Sequence, residues 1–521
     1  MVEWWVAATK WSLSLLLSSI VYRAIILYLW RPLRVQKLFR DQGISGPPYS
    51  PIFGNLKELA KLSKAAFASP LPHITHDIVP RVLSYYHSWS SLYGEQFVFW
   101  MGSKPRFIIS DPELCKEILS NKLGFYKRPA PSIHLHDLFA DGLVTLEGEK
   151  WEQHRRMVNP AFYMEKLKAM VPTIVKLTSI MLQGWKMKAE NLYGCKEINV
   201  SEEFKTLTAD VIAHTGFGSS YAEGKEVFIL QQQQQLLFIK LAKSLYIPGT
   251  RFLPTAVNRY RWELKQKIIA ILQRIIDKRW TLEDGYGSDL LGLMLSALEE
   301  RPAEEAQKSS KMTMQEIIDE CKTFFLAGHE TTLGLLTWAI MLLAIHPEWQ
   351  ERAREEVLFY FGSSHPDADL LHNLKVVTQV GMVLHETLRL YPPAVSIFRE
   401  ARQDVKLGTI LVPEKTVFSL PILLLHTSPK LWGADALEFN PSRFEHGLSK
   451  ACSHPLGFMP FGSGPHICVG QNFALIEAKI VISMILQNFR IQISPAYVHA
   501  PRQLLTLQPE YGMQILVDPV M

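Results

Sequence analysis

Cysteine is scarce in this chain and never paired at short range, with five residues at positions 115, 195, 321, 452 and 468 of 521. No Cys-x-x-Cys occurs, so neither a disulfide framework nor a zinc cluster is expected, and a reducing compartment is. One-sided charge is missing too. Fifty-five basic residues stand against 50 acidic ones, a diffuse excess of +5 that gives nucleic-acid binding no footing. No internal repeat appears, which excludes a repeat architecture.

Apolar residues are plentiful at 48%, enough for a large core. The longest apolar run is Trp11 to Trp30, interrupted by Arg23 and flanked by Trp4, Trp5 and Trp30. As a helix it would span about 30 Å, the thickness of a bilayer core. Arg31, Arg34, Lys37 and Arg40 follow at once, so the positive-inside bias places everything downstream in the cytosol. Residues 1–30 therefore read as an uncleaved, single-pass anchor in contact with membrane lipid. A cleaved signal peptide would need a small-residue site that is not obvious after the run. Residues 31–51 form a basic segment and a Pro-rich stretch ending Gly46-Pro47-Pro48-Tyr49-Ser50-Pro51, a stiff hinge or a plain linker.

Chemistry is concentrated in Phe461-Gly462-Ser463-Gly464-Pro465-His466-Ile467-Cys468-Val469-Gly470. A lone cysteine sits there in a loop whose glycines permit tight turns and close approach to a flat cofactor. A helix start follows, whose amides would stabilise a thiolate. Cys468 reads either as the axial ligand of a heme iron or as a buried structural cysteine. Upstream, Thr313-Met314-Gln315-Glu316 is a capping box that opens a helix of about 33 residues, stopped at His346-Pro347. Ala327-Gly328-His329-Glu330-Thr331-Thr332 interrupts it, the small residues leaving room and the polar ones standing where a core helix wants none. Glu386 and Arg389 share a helix face that ends before Pro392-Pro393, and Trp151 and Arg155 share another. Phe97 to Ser110 reads as a hairpin, with apolar runs either side of Gly102-Ser103-Lys104-Pro105. Gln231 to Gln235 reads as solvated helix or loop without visible chemistry, and Glu299 to Lys311 as a polar loop.

These motifs, in this order and with Phe439-Asn440-Pro441-Ser442-Arg443-Phe444 between them, resemble the cytochrome P450 heme-thiolate monooxygenases. The resemblance runs from about residue 46 to the C-terminus and is closest to a plant membrane-bound branch that modifies hormones, terpenoids and fatty acids. It implies a mainly α fold with a small β-rich lobe, residues 52–521 forming one catalytic domain. The implied cofactor is heme b (iron protoporphyrin IX), with Cys468 as metal ligand and Phe461 and Gly470 beside the sulfur. Trp151, Arg155 and Arg399 would meet the propionates, a surface-helix position being the alternative for Arg399. Thr331 would hydrogen-bond dioxygen or an ordered water while Glu330 relays protons; Thr331 bonding back to a carbonyl one turn earlier is the alternative. Glu386, Arg389 and Arg443 would form a buried clamp on the cysteine loop.

His466 is the departure, standing where the family usually has an arginine that pairs with a propionate. An imidazole offers neither fixed charge nor a bidentate fork, so Arg155 and Arg399 should carry more of the load. By the same resemblance, an NADPH-dependent cytochrome P450 reductase supplies electrons, and the location is the endoplasmic reticulum membrane. Substrate contacts are expected from His134 to Phe139, Phe324, Ala327, Val395 to Phe398 and Tyr511 to Met513. Their apolar character favours a small lipophilic substrate, though core packing explains each equally well. A heme-thiolate isomerase or dehydratase, or a heme carrier or sensor, is the alternative function; the Glu330-Thr331 pair argues against the first.

Overall fold

The computed structural model describes every residue except 1, 192–196, 219–220, 242–248, 282–284, 288, 300–311, 363, 365–377 and 521, so most of the polar loop expected over 299–311 lies outside the described residues. The chain forms two compact units. The smaller comprises residues 1–68, 79–129 and 396–421; the larger comprises 69–78, 130–395 and 422–521. The fold is mainly helical with small sheets, as expected.

In the smaller unit, α1 (Val2–Ile25) continues through a π-helical turn, Ile26–Trp30, into α2 (Arg31–Asp41). From Thr9 to Asp41 this rod has mean hydropathy 1.8 in its most apolar window, which is not buried and is apolar enough to be a membrane anchor. Its last part docks: Pro32, Val35 and Phe39 are buried, and Phe39 packs on Phe107. The Pro-rich stretch is fastened rather than free. Tyr49 donates from its hydroxyl to the Tyr28 carbonyl at 2.7 Å, and Asn55 bonds both Pro48 and Trp100. Gly46 is required, because a Cβ there would lie 1.9 Å from the Val98 carbonyl oxygen.

The sheet of this unit contains β1 (Val98–Met101), β2 (Lys104–Ile108), β3 (Tyr126–Lys127), β4 (Ile397–Ala401) and β5 (Val417–Leu420), in the order β1-β2-β5-β4-β3. The expected hairpin is β1–β2, with Met101 opposite Lys104 and Gly102 taking φ +61° in the two-residue turn. Strands β2 and β5 are parallel; the other neighbours are antiparallel.

The larger unit is organised around α6, for which the earlier helices are α3 (Gly148–Val158), α4 (Val200–Phe217) and α5 (Tyr221–Leu241). Helix α6 runs Met314–Ile345. Its capping box is complete: the Thr313 hydroxyl accepts from the Glu316 amide, and the Glu316 carboxylate accepts from the Thr313 amide at 2.7 Å. His346 and Pro347 end it. Between Ile317 and Ala344 every residue is buried except Ala327, Gly328 and Thr331. Downstream lie α7 (Thr378–Leu390) and α8 (Gln471–Asn488), the latter starting two residues after Val469. A three-stranded antiparallel sheet joins Glu197–Asn199, Gln514–Pro519 and Phe489–Ile493.

Candidate heme-thiolate site

The cysteine loop is a set of short closures. The Cys468 amide donates to the Phe461 carbonyl at 2.9 Å, folding the loop so that Phe461 and Cys468 are neighbours. Ile467 N–H bonds the Gly464 carbonyl, and Gly462 and Gly464 take φ of +76° and +74°, which only glycine adopts without strain. Gly470 differs. Its φ is −89° and a Cβ there would make only ordinary contact with Phe162, so its backbone does not demand glycine.

Cys468 presents accessible surface from dense surroundings. Those surroundings push its thiol pKa up, while the Gly470 amide and the Arg155 guanidinium pull it down. Arg155 also donates to the Ile467 carbonyl at 2.7 Å. One turn earlier on α3, the Trp151 ring lies 4.1 Å from the His466 ring, centre to centre. His466 Nε2 stands 3.5 Å from a carboxylate oxygen of Glu147, the residue capping α3. The imidazole at the unusual position is therefore held by an aromatic ring and an acid, where an arginine would be expected to extend its fork.

Trp151 Nε1 is buried, and among the described residues it has no hydrogen-bond partner. A buried N–H left in this way costs free energy, and a propionate oxygen is the kind of acceptor that would satisfy it. With an accessible sulfur and Arg155 next to it, these residues fit a heme. Arg399 belongs to the smaller unit, where it is buried on β4 and donates to the Phe398 carbonyl at 2.8 Å.

The clamp is nearly as expected, with an addition. Arg389 makes two 2.7 Å bonds to Glu386, both side chains fully buried. It also donates to the carbonyls of His426, Ala436 and Glu438. Arg443 approaches Glu386 at 3.5 Å, but its closer partner is Asp435 at 2.6 Å, which sequence reasoning missed. His426 was missed as well. Its Nε2 accepts from the Met459 amide at 3.0 Å, so its Nδ1 is the donor to the Arg389 carbonyl. It thereby joins α7 to the start of the cysteine loop, and burial followed by the nearby Arg389 charge pushes its pKa down to about 3.

On α6, the Thr331 hydroxyl donates to the Ala327 carbonyl at 2.9 Å, the back-bonded arrangement that was its alternative reading. Glycine at 328 has a packing cause: a Cβ would come within 2.8 Å of the Ile212 side chain on α4. Of the two small residues expected to leave room, Gly328 is thus taken up by helix packing. Glu330 is buried, and its Oε1 accepts from Gln235 at 2.8 Å, Thr506 at 3.0 Å and Gln508 at 2.6 Å. Its other oxygen lies 3.6 Å from His329 Nε2.

Gln235 overturns the reading of the glutamine run as solvated. Gln231, Gln234 and Gln235 are buried on α5, and Gln231 donates to the Lys322 carbonyl of α6. Two amides of the run, those of Gln231 and Gln235, bond into the larger unit. Glu330, Gln235 and Gln508 line a cavity of about 440 Å³ enclosed by α4, α5, α6 and the segment 502–512. Of the expected substrate contacts only Gly512 lines it. Leu138 and Phe139 pack on Leu326, Phe324 stacks on Phe162, and Val395 and Met513 are core residues; Tyr511 is exposed.

A sequence profile of the family described as Cytochrome P450 matches residues 46–517. Cytochrome P450 709B3 of Arabidopsis thaliana is 44% identical over 512 residues, covering 98% of this chain and 97% of that protein. Cytochrome P450 CYP72A616 of Paris polyphylla is 44% identical over 496 residues, covering 94% of each. Cytochrome P450 734A1 of Arabidopsis thaliana is 42% identical over 514 residues, covering 96% of this chain and 95% of its own. Together with the cysteine loop and its cradle, these place the chain in the cytochrome P450 family of monooxygenases that bind heme b.

Proposed function

We propose that the chain hydroxylates a small lipophilic substrate of the hormone, terpenoid or fatty-acid kind, with Cys468 as the heme ligand and electrons from an NADPH-dependent reductase. The observation that carries the reading is the cradle of α3: Arg155 on the Ile467 carbonyl, Trp151 against His466, and a buried Trp151 N–H without an acceptor among the described residues. Heme bound there would supply the oxidising chemistry, with one oxygen atom entering the substrate and the other leaving as water at the expense of two reductase-derived electrons and two protons.

The chain's own residues do the rest. Cys468 gives its sulfur as thiolate, favoured by the Gly470 amide and the Arg155 charge. Trp151 would donate its indole N–H to a propionate, and Arg155 would supply positive charge for the same group. Thr331 breaks its bond to Ala327 and turns its hydroxyl to hold a proton for dioxygen or for an ordered water. Glu330 receives protons from the polar cavity and passes them toward Thr331. His466 contributes by packing Trp151 in place.

The anchor would hold the protein in the endoplasmic reticulum membrane, with the catalytic units on the cytosolic side, as the basic run after Trp30 favours. The test is turnover: purified protein with the reductase and NADPH should form hydroxylated product in proportion to NADPH oxidised. Type-I spectral shifts across hormones, terpenoids and fatty acids would identify the class. Product formed without dioxygen or NADPH would contradict the monooxygenase reading.

A further inference from the structure

Helix α3 contacts its surroundings along two adjacent faces, each with a four-residue spacing. Glu147, Trp151 and Arg155 meet residues 466 and 467 of the cysteine loop. Lys150 and His154 meet Glu316 and Glu320, also four apart, on α6. The outer rung, Lys150 to Glu316 at 3.0 Å, has an exposed lysine. The inner rung is buried: His154 Nδ1 lies 2.6 Å from Glu320 Oε1, with side chains 2% and 0% exposed.

We propose that the His154–Glu320 rung is a positioning pair, which sets where Trp151 and Arg155 present their N–H groups to heme relative to the helix that carries Thr331. This rests on the heme reading above. A buried pair of this kind is an expensive way to hold two helices together; two apolar side chains would do so at lower desolvation cost. What the pair adds is direction. A short hydrogen bond between a ring nitrogen and a carboxylate fixes both the rotation and the axial register of α3 on α6. Side-chain tips stand about 5–6 Å from a helix axis, so a rotation of about 20° would shift them by about 2 Å. Trp151 and Arg155 flank His154 at three and one residues' distance, so any turn of α3 moves them with it.

The experiment uses the full-length heme-loaded protein and reads two quantities, the thermal midpoint and the rate of heme transfer to excess apomyoglobin. The variants are His154→Leu, Glu320→Leu, the double His154→Leu/Glu320→Leu, and Glu320→Gln. Each single leucine should lower the midpoint and speed heme release. The double variant should recover the wild-type midpoint yet release heme about tenfold faster or more, the usual penalty for losing an outer-shell support. Glu320→Gln keeps an acceptor for His154 and should stay within about twofold of wild type in release.

A double variant that holds heme at the wild-type rate overturns the proposal, and so does Glu320→Gln releasing heme as fast as the double variant. Fast release from a double variant whose midpoint stays low counts against it too, since instability would then suffice. Wild-type protein without heme-thiolate absorption would instead sink the heme reading. Wild-type heme retention with an unaffected double variant sinks the rung alone.

Discussion

Arg155 reaches the carbonyl oxygen of Ile467 at 2.7 Å, one residue before Cys468. One guanidinium thus ties α3 to the cysteine loop and partly offsets the burial that pushes the Cys468 thiol pKa up. In the proposed site, the geometry and the charge state of the Cys468 sulfur would depend on the same side chain. On the far side of the loop, His426 bonds Met459, so the segment bearing Cys468 is held from both ends.

The clamp should be unequal in its parts. Arg389→Leu leaves Glu386 buried without its bidentate partner and is expected to destabilise by about 3–5 kcal/mol. Arg443→Leu breaks a longer contact to Glu386 and a closer one to the half-exposed Asp435, so about 1–3 kcal/mol is expected. Denaturant titration followed by heme absorbance measures both. Equal losses would show that Arg443 is a full member of the buried pair.

Thr331→Ala removes a hydroxyl whose protein bond is to its own helix, so folding and heme content should hardly change. If the hydroxyl turns toward dioxygen during turnover, peroxide released per NADPH should rise severalfold. Unchanged coupling would remove Thr331 from the proton relay.

Gln508→Leu deletes one of three donors on Glu330 Oε1. The carboxylate keeps Gln235 and Thr506, so a modest loss of about 1–2 kcal/mol in stability is expected. Peroxide release should rise along with it, because the Glu330 carboxylate is then held by two donors instead of three. A variant with wild-type coupling and midpoint would show that the cage has no bearing on the relay.

Acid should weaken the larger unit through three histidines, opposed in part by Asp210, whose carboxyl burial pushes up to about 7. Burial pushes His76 and His426 down to about 3 and His385 to about 4, while in the unfolded chain each titrates near 6.5. Between those values the unfolded state binds the extra protons, so stability is fully present above about 6.5 and falls with pH below it. The slope is at most about 1.4 kcal/mol per pH unit for each histidine. Thermal midpoints at pH 7.5 and 5.5 test this, and a midpoint that stays level or rises on acidification would contradict it.

What the sequence could disclose was set by the range of each contact. The Thr313–Glu316 box, the Trp151–Arg155 face and the Glu386–Arg389 pair lie within one helical turn, and local spacing reveals them. His154–Glu320, Gln235–Glu330 and His426–Met459 join residues 166, 95 and 33 positions apart, and nothing local marks them. The glutamine run misled because amides are read as solvated unless a distant acceptor is known. Gly328 misled for a related reason: the side chain that needs its space, Ile212, lies on another helix. The β1–β2 hairpin and the length of α6 were legible, since turn chemistry and capping are local signals.

Ligation of heme by the Cys468 thiolate is read from the reduced carbon-monoxide difference spectrum. Wild-type protein should show the red-shifted Soret band of a thiolate complex, and Cys468→Ser should lose that band. A thiolate-type band that survives in Cys468→Ser would contradict the assignment of the ligand.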